Sequence, residues 1–174
     1  MKILGLNIFH ADTAACLIID NEVVAAVEEE RFVRVKHYSG FPKYSIMYCL
    51  DKGNIKLEDI DFITVNFDRN YNLFEKVLFF ITNISNINFF PRIAAMTKRA
   101  NIKKIFRDNF FINIKSKIVF VPHHIAHISS SYLTSGFNKS LGLSFDGAGD
   151  FSCLETYDLD NNNLNLLDKV CFPH

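Results

Sequence analysis

The sequence predicts an α/β chain, a mixed sheet with flanking helices and a helical insertion. Three observations carry this. The chain opens on three short apolar segments separated by tight polar turns. Later strand-length apolar segments alternate with helical patterns that follow a proline. An antiparallel pattern then starts again near residue 141. With 174 residues, 49% of them apolar, the chain holds enough material for one ordinary domain with its own core.

Lys2 to Ile8 reads as a buried strand, apolar on both faces, and His10-Ala11-Asp12-Thr13 as a short polar turn. Ala14 to Ile19 is a second strand, Asp20-Asn21 a hairpin turn, and Glu22 to Glu28 a third strand. The short connections make this opening meander antiparallel. Arg31 to Gly40 is a charged loop. Pro42 opens a helix at the first-turn position that proline favours. That helix turns Ile46, Met47, Cys49 and Leu50 inward and stops near Gly53. Leu57 to Ile60 leads into a strand over Asp61 to Asn66.

Tyr71 to Phe110 has a different character, mixing Phe79-Phe80, Phe89-Phe90 and several isoleucines with Lys98-Arg99 and Lys103-Lys104. It reads as helices joined by an Asn-rich loop, packed beside the main sheet rather than lying on a membrane surface. Lys117 to Val121 resumes the strand pattern, and Pro122 precedes a helix running to about Ser135. Leu141 to Phe145 is a strand ending at a turn at Asp146. A hairpin follows, Cys153 to Leu159 and Leu164 to Val170, around Asp160 to Asn163. The elements divide into a first lobe over 1–140, with its insertion at about 71–110, and the start of a second, truncated lobe over 141–174.

Composition excludes several functions. Nineteen basic residues balance nineteen acidic ones, so no charge excess would drive nucleic-acid binding. A single nucleotide ligand needs only local donors and stays open. Cys16, Cys49, Cys153 and Cys171 are far apart and read as reduced thiols. The amino terminus lacks a signal-peptide pattern and no apolar run reaches membrane-spanning length, so the chain reads as cytoplasmic.

The strongest chemical signal is His123-His124-Ile125-Ala126-His127, with Asp146-Gly147-Ala148-Gly149-Asp150 beginning nineteen residues after His127. On a helix, His123 and His127 project from one face, one turn apart. Asp146, arriving from a strand, would complete a two-His-one-carboxylate set that suits zinc, iron or manganese. The neighbouring glycines, Gly147 and Gly149, would let backbone N–H groups approach a phosphate. His124 points elsewhere on the helix and reads as a supporting or structural residue. His10 and Asp12 follow the first strand, where an imidazole could act as general base or simply bond its own turn. Glu28-Glu29-Glu30-Arg31, with Arg34, Lys36 and His37, is either a solvated loop or a contact for an anionic ligand.

With these residues in hand, the chain resembles the amino-terminal part of the O-carbamoyltransferases of the nodulation-factor, cephalosporin and aminoglycoside antibiotic type. The matching segments are Ile3 to Asn7, His10 to Ala14, Glu28 to Phe32, Lys36-His37, Gly40-Phe41-Pro42, His123 to His127 with Ser129 to Tyr132, and Asp146 to Gly149. They run in the family's order over nearly the whole chain; the 71–110 insertion matches nothing recognised. Thr13 stands where the family commonly has serine, which keeps the hydroxyl.

The resemblance implies an actin/hexokinase-like, ribonuclease H-type fold, shared with the tRNA threonylcarbamoyl transferases. It implies that a separate carboxy-terminal domain makes carbamoyl-adenylate from carbamoyl phosphate and ATP. The amino-terminal domain then passes the carbamoyl group to a hydroxyl of a sugar or related natural product. By position, His123, His127 and Asp146 would bind an iron- or zinc-like divalent metal that holds the adenylate phosphate. His10 would sit beside the carbamoyl carbon, and Asp12, Lys36, Gly147 and Gly149 would serve the nucleotide. The family's fourth metal ligand, an aspartate, would lie beyond this chain, which is thus expected to be incomplete for catalysis without its carboxy-terminal half or a partner chain. The alternative is a nucleotide- or metal-binding module without catalysis, or a relic that needs a partner.

Overall fold

The computed structural model describes residues 1–82, 101–161 and 163–172. Their contacts divide them into two compact units, one of residues 1–66 with 101–120, the other of 67–82 with the described part of 121–172.

In the first unit, β1 (Lys2–Asn7), β2 (Ala14–Ile19) and β3 (Glu22–Glu28) form the expected antiparallel meander. The β2–β3 turn, Asp20-Asn21, has positive φ at both residues, the type I′ geometry whose twist matches its strands. β4 (Phe62–Val65) joins the free edge of β1 in parallel and β5 (Lys117–Phe120) joins β4, giving the order β3-β2-β1-β4-β5. Parallel pairing requires a crossover, and α1 (Glu30–Val33) and α2 (Lys43–Lys52) lie within it. Leu4, Leu6, Leu17, Ile46, Cys49 and Ile63 are buried in this core.

The local reading changes in three places. The charged segment from Arg31 starts as α1 rather than as loop, because Phe32 and Val33 donate their N–H groups to the Glu29 carbonyl. Met47 is half exposed, since it sits about 100° round the helix from the buried Ile46. Leu57–Asp59 forms a 3-10 turn before β4. The helices expected in the insertion are α3 (Leu73–Thr82) and α4 (Ile102–Phe110). Helix α4 buries Ile102, Ile105 and Phe106 at helical spacing, with Phe106 edge-on to Phe41 at 5.3 Å. The Asn-rich loop expected between them lies outside the described residues.

In the second unit, β6 (Lys139–Gly149), β7 (Ser152–Asp160) and β8 (Asn163–Cys171) form an antiparallel sheet. Helix α5 (His123–Ser135) covers one face, where Ile128 and Tyr132 pack on Tyr157 and Leu159. It ends at Gly136, whose φ of 76° glycine adopts without penalty. Glu155 is fully buried beside them and accepts from the hydroxyls of Tyr71 and Tyr157. Strand β6 does not end at Asp146. It runs on to Gly149 through a pairing slip between Phe145 and Gly149, and the reversal falls at Asp150-Phe151.

All four cysteines are free, and burial pushes the Cys49 thiol up to about 11, so it stays protonated at neutral pH. Among the described residues no helix is long and apolar enough to cross a membrane.

Candidate functional site

Helix α5 begins after Pro122, which offers no capping side chain. The Oδ2 atom of Asp150 serves instead, accepting the first helical N–H, that of His123, at 2.9 Å and the N–H of Asp68 at 2.9 Å. Burial pushes the Asp150 carboxyl up, and those two N–H groups partly offset it. The same helix start brings the two site histidines together. His123 Nε2 lies 3.0 Å from His127 Nε2 and 2.6 Å from Asp146 Oδ2. All three donor atoms fall within 4.8 Å of one another.

That convergence fits a metal ion. Bonds of about 2.0–2.2 Å to one tetrahedral centre put ligand atoms about 3.4 Å apart, so small side-chain rotations would bring these three atoms round an ion. Two imidazoles and one carboxylate also suit a divalent cation better than a hydrogen-bond network, because one His123 nitrogen faces both other donors. Burial works to raise the Asp146 carboxyl, but the Gly147 N–H and the His123 ring outweigh it and hold it below its ordinary range. The carboxylate is therefore charged and available as a ligand at neutral pH.

The two glycines have different duties. The Gly147 N–H donates to Asp146 Oδ1 at 2.6 Å, and a Cβ there would meet open space. A Cβ on Gly149 would stand 2.1 Å from His123 Cδ2, so only glycine leaves room for that ring. His124 is fully buried and structural. Its Nε2 donates to the Ser152 carbonyl at 3.0 Å, which leaves Nδ1 to accept from the Ser144 hydroxyl at 2.7 Å.

His10, Asp12 and Lys36 belong to the first unit, where two loops are clasped together. Phe9 and Thr13 donate their N–H groups to the carbonyls of Gly40 and Tyr38, and the buried Thr13 hydroxyl bonds His10 O and Gly40. Asp12 takes a positive φ of 60° and accepts from His37 Nδ1 at 2.8 Å. That carboxylate raises the His37 imidazole through its hydrogen bond and its charge. His10, Asp12 and Lys36 are all exposed on these loops.

Sequence reasoning gave no role to two acids that the structure singles out, Asp150 and Glu29. Glu29 is buried and accepts the N–H groups of Tyr44 and Ser45 and the Ser45 hydroxyl, which fixes the start of α2. The signal was present in both cases: a helix led by proline must find its acceptor elsewhere.

Comparison with known proteins bears on the family and the fold. The carbamoyltransferase N-terminus family matches residues 2–174. The uncharacterized protein sll1178 of Synechocystis is 32% identical over 99% of this chain and 29% of its own length. The nodulation protein NolNO of Sinorhizobium fredii is 37% identical over 84% of this chain and 21% of its own length. The chain thus spans less than a third of these relatives. Among solved structures, YeaZ from Pseudomonas aeruginosa superposes with a TM-score of 0.52 at 10% identity, covering 99% of this chain and 67% of that one. That likeness speaks for the fold alone, which is of the actin/hexokinase type. With the histidine helix, the Asp-Gly strand and the opening meander all inside the matched span, the chain belongs to the carbamoyltransferase N-terminus family.

Proposed function

We propose that this chain is the metal- and nucleotide-holding part of an O-carbamoyltransferase, which moves a carbamoyl group from carbamoyl-adenylate to a hydroxyl of a sugar or natural product. The observation that carries the reading is the convergence of His123 Nε2, His127 Nε2 and Asp146 Oδ2. These residues would hold a divalent ion of the iron or zinc kind. When bound, such an ion supplies positive charge beside the adenylate phosphate and makes AMP a better leaving group.

His10 takes the proton of the acceptor hydroxyl as that oxygen bonds to the carbamoyl carbon. The bond from that carbon to the phosphate oxygen breaks, and AMP leaves with the electron pair. Lys36 meets the anionic nucleotide, and Asp12, through His37, holds the loop that carries Lys36. Gly147 lets a phosphate approach the backbone, while Gly149 keeps the His123 ring in place. The remaining metal ligand and the domain that makes carbamoyl-adenylate come from the carboxy-terminal remainder or a partner. By its repeat of meanders the chain would divide into a first lobe over 1–140, with its insertion at about 71–110, and the start of a second from 141, with 67–82 and helix α5 packing in the unit of the second meander. The setting is cytoplasmic.

The test is elemental analysis of the purified chain, with calorimetric titration of ATP and AMP. One bound divalent ion together with nucleotide affinity, both lost in His127→Ala, is the expected result. A wild-type chain that takes up no iron, zinc or manganese under reducing, metal-replete conditions would overturn the metal assignment.

A further inference from the structure

We propose that Asp150 is the positioning residue of the metal centre, holding His123 in its ligating position from a strained turn; the inference rests on the metal reading above. The turn joins β6 to β7 across the Gly149–Ser152 pair, with φ of 49° at Asp150 and 73° at Phe151. This is the two-residue I′ geometry, which Asn-Gly or Asp-Gly fills without strain. A phenylalanine at positive φ is strained, and such strain persists only where the surroundings over-determine it.

The surroundings do so here. The Phe151 ring is clamped edge-on by Phe79 at 5.4 Å and Phe172 at 5.8 Å, and those two rings meet at 5.9 Å. Asn72 Nδ2 donates to the Asp150 carbonyl at 3.3 Å. The Asp150 side chain is therefore delivered to one place, where a single oxygen ties the first N–H of α5 to the N–H of Asp68. The residue whose N–H it takes is His123, whose ring is wedged against the Gly149 backbone in the same turn. Backbone and ring of one ligand are thus fixed by two adjacent residues of one hairpin.

Groups that orient a ligand are worth about 10–100-fold in metal affinity. The experiment is a Zn(II) and Co(II) titration of the chain, with Asp150→Ala and Asp150→Asn beside wild type and thermal unfolding in parallel. We expect Asp150→Ala to weaken metal binding at least tenfold, to alter the visible Co(II) spectrum, and to speed hydrogen exchange at the His123 amide. Asp150→Asn keeps an oxygen for both N–H groups and should restore affinity to within about threefold. If Asp150→Ala only lowers the melting temperature and the folded protein binds metal as wild type does, the positioning role is wrong. The same holds if Asp150→Asn is as weak as Asp150→Ala. A wild-type chain that binds neither ion overturns the metal reading, and this proposal falls with it.

Discussion

Helices α2 and α5 both start after a proline without a capping side chain, and both borrow an acid from the end of a strand. Glu29 follows β3, is 1% exposed, and gathers two backbone N–H groups and a serine hydroxyl. Asp150 follows β6, lies nearer the surface, and gathers two backbone N–H groups, one from the helix and one from a loop. The same device serves two purposes. A fully buried acid with three donors fixes a core helix, and α2 carries none of the residues proposed for chemistry. A shallower acid leaves its helix start near solvent, where His127 is exposed.

The largest effect should come from breaking the deeper cap. Glu29→Ala strands three donors that met a carboxylate, two of them in buried contacts, so we expect a loss of about 3–5 kcal/mol in urea unfolding, with metal affinity of the folded fraction unchanged. A loss below about 1 kcal/mol would mean that the two caps differ less than the structure implies. Next comes Gly149→Ala, which forces a methyl into the His123 ring. Overpacking of that kind costs about 1–3 kcal/mol, and here it should also weaken metal binding because the displaced group is a proposed ligand. Wild-type affinity in that variant would show that the ring moves freely.

The smallest effect is in the clasp of the first unit. Asp12 raises the His37 imidazole, so the pair's contribution is fully present below about pH 6.5 and is lost as pH rises through the raised folded value. Proton NMR of the His37 ring should show that higher midpoint, and Asp12→Asn should return it to the ordinary histidine range. No change on substitution would remove the pair from the account of the clasp.

Most of the fold was legible because its signals are local. Strand alternation, the Asp20-Asn21 turn and the two proline-led helices place the elements of both meanders to within a few residues. The grouping of His123, His127 and Asp146 was legible for a similar reason. Histidines four apart face the same way on any helix, and an aspartate beside glycines near the end of a strand is a recognisable partner.

What the one-dimensional pattern could not decide depends on residues far apart in the chain. That β6 runs past Asp146 follows from its pairing with β7, and that Met47 faces out follows from which side of α2 meets the sheet. Glu29 looked like one acid in a charged run and Asp150 like the tail of a glycine turn. Their roles come from helix N–H groups 15 and 27 residues away in sequence. The sequence by itself determined which side chains are the candidates for chemistry and the order of the strands along the chain. Only the tertiary structure decided what holds those side chains still, because an unpaired helix N–H is satisfied by whichever acceptor folding brings to it.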